Sequence, residues 1–249
     1  VGKAVIRPFL LALQFLTRLP VVINGVVADE EVGRSLLYYP LVGLVIGVLL
    51  ALLAWGLATV PPMVGAALLL VAWVLLTGGL HLDGLADSAD AWAGGLGDRN
   101  KTLAIMKDPY CGPVGVVTLV LVLLLKFAAL VTLIPQGEWS ALVIAAVMGR
   151  SVVPLLFLTT PYVRSQGLGA LLASHLPHRM VAVMLAITGV MIVVSTGVMT
   201  LWMVGTALAL FVLVRGMMVR RINGITGDTT GALVEITEAV VLLTATLTL

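Results

Sequence analysis

The stretch LLYYPLVGLVIGVLLALLAWGLATV, residues 36–60, contains no charged side chain. As an α-helix rising about 1.5 Å per residue it outreaches the roughly 30 Å hydrocarbon layer of a bilayer, so it reads as a membrane span. Pro61-Pro62 ends it, and a second apolar run, 63–80, follows directly. Further runs at 113–134, 141–160, 180–196, 198–214 and 232–249 bring the expectation to about seven crossings, with a very short turn at Ser195-Thr196-Gly197 between the fifth and sixth. The composition agrees: 61% of the 249 residues are hydrophobic, 10% are charged, and mean hydropathy is +1.17. The expected fold is all-α, a polytopic transmembrane helical bundle forming a single integral membrane domain over 1–249.

On the amino-terminal side of the first span, residues 3–18 (KAVIRPFLLALQFLTR) are apolar except for Lys3, Arg7, Gln14 and Arg18. On a helix these four fall within about 60° of one another, which predicts an N-terminal amphipathic helix at the membrane interface or beside a polar cavity. No short apolar stretch with a small-residue cleavage site is evident, so the first span is expected to direct insertion itself. The formal charge of +2, without a basic run interleaved with aromatics, gives no basis for nucleic-acid binding. The single cysteine, Cys111, cannot form an internal disulfide.

The polar residues are not spread evenly. With 36–60 as the first crossing and the segment before it cytoplasmic, twelve of the fourteen Lys and Arg fall on the cytoplasmic side. The other two, Lys126 and Arg150, lie within spans and are expected to face the bundle interior and pair with acids. Eleven of the twelve acids also fall on or near the cytoplasmic side, leaving Glu138. The positive-inside rule makes no such demand on acids, so their clustering calls for a functional cause.

The densest cluster is GGLHLDGLADSADAWAGG, residues 78–95. Asp83, Asp87 and Asp90 stand at i, i+4 and i+7, within an arc of about 60° on a helix. Like charges so placed repel one another and are held together by a cation, which makes all three candidate metal ligands. His81, on an ideal helix, points roughly 160° away from Asp83. The loop that follows, residues 98–113, supplies Arg99, Lys101 and Lys107 with Asp108, and a metal site flanked by cations suits phosphate esters. A second acidic cluster, Asp228, Glu235 and Glu238, follows Gly227. Asp228 can cap the last helix, whereas acids one to two turns into a span are costly unless paired, metal-bound or hydrated. The residues alone leave open a headgroup phosphotransferase of the CDP-alcohol type and a cation-coupled transporter. The first usually carries Asp-x-x-Asp-Gly-x-x-Ala-Arg, which is not present, and the second places its site near the midplane between repeats.

QFLTRLP at 14–20, YPLVG at 39–43, GGLHLDGLADSAD at 78–90, IMKD at 105–108, and Gly227-Asp228 with Gly231-Ala232 and Glu235 together resemble the cobalamin synthase, or adenosylcobinamide-GDP ribazoletransferase, family. The likeness covers essentially the whole chain. The sequence departs from the family pattern at PYCGP, residues 109–113, where small and basic residues are the family's habit. The resemblance implies a Mg²⁺-dependent enzyme of the cell inner membrane, its active site facing the cytoplasm. Its substrates would be adenosylcobinamide-GDP and α-ribazole or its 5′-phosphate, and GMP would leave. Asp83, Asp87, Asp228 and Glu235 are the catalytic candidates and Asp83, Asp87 and Asp90 the metal ligands. Arg99, Lys101, Lys107, Asp108 and Arg164 are the substrate-binding candidates. The partners it suggests besides the bilayer are a second copy of the chain or other enzymes of nucleotide-loop assembly.

Overall fold

The computed structural model describes residues 2–196 and 198–249, with side chains for 6–194 and 200–249. Among the described residues twelve α-helices run in order: α1 Gly2–Leu16, α2 Asp29–Ser35, α3 Tyr39–Gly56, α4 Pro62–Thr77, α5 Leu80–Gly95, α6 Arg99–Ile105, α7 Pro113–Gln136, α8 Trp139–Thr159, α9 Leu168–Ser174, α10 His178–Thr196, α11 Val198–Ile222 and α12 Gly227–Leu247. Among the described residues there is no strand, only an isolated parallel bridge between Tyr162 and Ile225. The expected all-α membrane bundle is therefore what forms.

Among the described residues five helical segments are long and apolar enough to cross a membrane, and the number rises to seven if two sharply bent pairs each count as one crossing. The first crossing is continuous helix from Asp29 to Gly56, passing through the 3₁₀ turn Leu36–Tyr38, so it starts earlier than its apolar composition suggests. Proline in the first turn starts α3, α4 and α7, where the missing N–H has no partner to lose. Helices α8 and α12 are mostly buried and form the core, while α7 and α11 turn most of their surface outward. Across the α3–α8 contact, a Cβ on Gly47 would lie 2.6 Å from the Cα of Val143, so this small-residue stripe serves packing.

Three expectations change. The run 63–80 is not one plain span, because α4 stops at Thr77 and Gly78 and Gly79 take φ of 65° and 69°. That pair of left-handed residues turns the chain by 89°, and α5 becomes an arm lying across the starts of α7 and α12. Second, α1 ends at Leu16, so Arg18 does not share its polar face. Its backbone N–H instead donates to the Leu76 carbonyl at 2.7 Å, tying the chain after α1 to the end of α4. Within α1, Arg7 donates to the Val26 carbonyl at 2.9 Å and lies 3.4 Å from Glu31. The side chain of Lys3 and the turn at Gly197 lie outside the described residues.

The third change concerns Glu235. Inside the bundle, Lys126 of α7 donates at 2.5 Å to both Glu235 and Glu238 of α12, and Arg150 of α8 donates to the other oxygen of Glu238. The Lys126 ammonium also sits 5.1 Å from the centre of the Trp73 ring of α4. All four charged side chains are buried, and two cations balance two anions. The pairing expected for Lys126 and Arg150 is thus present, and it engages Glu235, which is not part of the cavity described below.

Removing one partner from such a group leaves an uncompensated charge in low dielectric. Lys126→Met is expected to cost about 3–5 kcal/mol, a fall of roughly 10 °C in the unfolding midpoint followed by tryptophan fluorescence in detergent. Lys126→Met with Glu235→Gln restores neutrality and is expected to recover at least half of that loss. A double variant as unstable as the single one would mean that the four charges are not coupled.

Candidate active site

The site forms where α5 lies over the first turn of α12. Gly84 of α5 makes the approach possible, because a Cβ there would fall 2.7 Å from the Asp228 carbonyl oxygen. Around this contact lies a cavity of about 300 Å³ into which Asp83 of α5 and Asp228 of α12 both open. Thus two acids that were separate clusters in the sequence face one space.

Asp228 is not the cap of α12. Thr226 holds that position, its hydroxyl accepting from the Thr229 N–H at 3.2 Å, while the Thr229 hydroxyl accepts from the Thr226 N–H at 2.9 Å. With the cap supplied, the Asp228 carboxylate is free for Arg164, whose guanidinium donates to it at 2.6 Å. Arg164 is delivered by the short bridge between the segments around Tyr162 and Ile225. There the Val163 N–H donates to the Ile225 carbonyl and the Ile225 N–H to the Pro161 carbonyl, both at 2.9 Å. No pattern in the sequence announces this pairing, since one residue on each side is too short to show a strand period.

The three aspartates of α5 have different surroundings. Asp83 is exposed at the cavity. Asp87 lies in the field of its neighbours, and burial together with the Asp83, Asp228 and Asp90 carboxylates pushes it up to about 6, against the lowering effect of Arg164. Asp90, the third of the expected metal ligands, is engaged by backbone. One of its oxygens accepts from the Gly112 N–H at 2.7 Å and the other from the Gly115 N–H at 2.8 Å, so it caps the start of α7. The glycines Gly112 and Gly115 are what allow a carboxylate so close to that backbone. Among the described residues no three His, Cys, Asp or Glu side chains already converge as a metal shell.

Arg164, Gln166 and Gly167 also line a second, open cleft, together with Arg99 and Lys107. Arg99 donates to the Ile222 carbonyl at the end of α11 at 3.0 Å and so is held in place. Lys101 and Asp108 are exposed and line neither space, and the Asp108 carboxylate accepts from the Tyr110 N–H at 3.0 Å. The cavity and the cleft therefore meet at Arg164, with an acidic end on one side and a cationic bed on the other. Sequence reasoning missed Gln166, Tyr162 and Phe157, all of which line the cavity; their aromatic or amide character alone did not set them apart.

Residues 8–246 match the family model described as cobalamin-5-phosphate synthase. A curated relative named adenosylcobinamide-GDP ribazoletransferase, from Pseudomonas fluorescens, is 57% identical over 236 residues, covering 95% of this chain and 97% of the relative. Proteins of the same name from Pseudomonas putida and Pseudomonas aeruginosa are 56% and 53% identical, covering 95% and 97% of this chain and 97% and 98% of their own lengths. No solved structure matches. With the model match running almost from end to end and relatives at this identity covering nearly all of their length, the chain belongs to the cobalamin-5-phosphate synthase family.

Proposed function

We propose that this membrane protein transfers adenosylcobinamide phosphate from adenosylcobinamide-GDP to the ribose hydroxyl of α-ribazole or its 5′-phosphate, releasing GMP. The observation that carries the reading is the junction at Arg164, where a cavity with two carboxylates opens beside a cleft lined by Arg99 and Lys107. A diphosphate needs cations along its non-reacting oxygens, and an attacking hydroxyl needs a carboxylate within reach.

In this reading the acceptor oxygen bonds to the cobinamide-side phosphorus as the bridging P–O bond to the GMP phosphate breaks. The hydroxyl proton passes to Asp228, which Arg164 and the capped start of α12 hold in orientation. Arg99, Lys107 and Arg164 bear the growing charge on the departing GMP. The chemistry of the donor set fits Mg²⁺: Asp83 and Asp87 stand one helical turn apart, and their mutual repulsion is relieved by a cation. A bound Mg²⁺ would be held by these two carboxylates and would neutralise the diphosphate oxygens. Asp90 is left to its structural bonds, and Glu235 to the buried ion group. The Lys and Arg of the connecting loops support placing this face toward the cytoplasm, with the bundle in the inner membrane.

Purified protein in detergent is expected to release GMP from adenosylcobinamide-GDP only when α-ribazole or its phosphate is present. Asp83→Asn and Asp228→Asn are each expected to lower kcat by about 10²–10⁴ with an unchanged unfolding midpoint, and near-normal turnover in either would sink the assignment. By contrast, the neutral pair Lys126→Met with Glu235→Gln should keep turnover within roughly fivefold once folded, because Glu235 acts through packing. Chelation by EDTA is expected to stop GMP release and added Mg²⁺ to restore it. Unaltered turnover in EDTA would remove the metal from the mechanism.

A further inference from the structure

Two substrates have to meet at Asp83 and Asp228, and the spaces on either side of that point differ in chemistry. The chain has five Phe and four Tyr, and two of each, Phe15, Phe157, Tyr39 and Tyr162, line the one cavity. The rings of Phe157 and Tyr162 are nearly parallel, 13° apart in plane with centroids 5.6 Å apart. His81, 5% exposed, lines the same cavity, and its Nδ1 has no hydrogen-bond partner. Among the described residues, the one Lys or Arg lining this space is Arg164, on its acidic side, whereas Arg99 and Lys107 belong to the open cleft.

We propose that the aromatic cavity seats the base of the acceptor, a flat, uncharged, fused heteroaromatic ring joined to ribose, and that the corrinoid nucleotide stays in the open cleft. This rests on the transferase reading above and assigns each substrate to one side of Asp83 and Asp228. Size separates the two candidates, because about 300 Å³ is at the small end of ligand sites and a corrin ring with its amide arms exceeds it. Polarity agrees, since stacking on aromatic faces suits a neutral base and a diphosphate belongs with cations. A ring nitrogen at the edge of such a base is a partner for the unmet His81 Nδ1. With the base among the aromatic side chains, the ribose points toward the acidic end of the cavity, where Asp228 receives the hydroxyl proton.

The test uses full-length protein in detergent with Phe157→Leu and Phe15→Leu, which keep an apolar side chain and remove a ring. Phe15 is 41% exposed, so its variant folds even if the buried Phe157 variant does not. The KM for α-ribazole is expected to rise about tenfold in F157L, with the KM for adenosylcobinamide-GDP changed by less than about twofold. Equilibrium dialysis of labelled α-ribazole, with donor and Mg²⁺ omitted, is expected to show saturable binding that weakens by a similar factor in both variants. An unchanged acceptor KM and unchanged binding would overturn the proposal, as would a rise confined to the donor KM, which would put the corrinoid nucleotide in the cavity. Loss of binding when phospholipid is added back would also overturn it, marking the cavity as an acyl-chain slot. If wild-type protein released no GMP at all, the transferase reading would fail, and the dialysis would still decide what the cavity binds.

Discussion

A charge within hydrocarbon must have a partner, and the group formed by Lys126, Arg150, Glu235 and Glu238 is where this chain meets that demand. Because the four side chains come from α7, α8 and α12, their pairing sets the register of these helices against one another. Glu235 lies two turns along α12 from Asp228, so the same pairing determines where Asp228 stands relative to α7 and α8. A slip of one turn would expose a buried charge and move the carboxylate out of the cavity together. The buried paired acids and the cavity-lining acid of α12 are thus linked by one helix.

Around that anchor the site is assembled by close backbone approaches. The double left-handed turn at Gly78 and Gly79 lays α5 over the ends of α7 and α12. Once there, α5 uses its two sides differently: Gly84 lets it settle on Asp228, and Asp90 grips the first N–H groups of α7. Asp83 is left facing the cavity, with Asp87 one helical turn further along in the field of the same carboxylates and of Arg164. Arg164 then closes the junction from a segment that contributes no helix, held there by two backbone hydrogen bonds that join Pro161 and Val163 to Ile225.

Much of this was legible beforehand. Apolar runs between prolines mark the spans, and the i, i+4, i+7 spacing places three acids on one face of α5, because both signals come from local periodicity. The intramembrane cations Lys126 and Arg150 were rightly paired with acids on desolvation grounds alone. What could not be read was which acids. Asp90 and Asp87 are indistinguishable in spacing, yet one meets the start of α7 and the other does not. Asp228 had the sequence position of a cap, but Thr226, two residues earlier, took that role and released it.

Hydropathy, helical period and charge are properties of short segments, and they were enough to specify a membrane-embedded helical protein with an acidic helix beside cationic loops. It took the packed chain to show that Asp83 shares a cavity with Asp228 and not with Glu235, that Asp90 holds the start of α7, and that Arg164 and four aromatic rings complete the walls. The physical reason is that these partnerships depend on an 89° bend and on two backbones approaching within a missing Cβ of each other. Neither is encoded in the spacing of the residues that end up in contact.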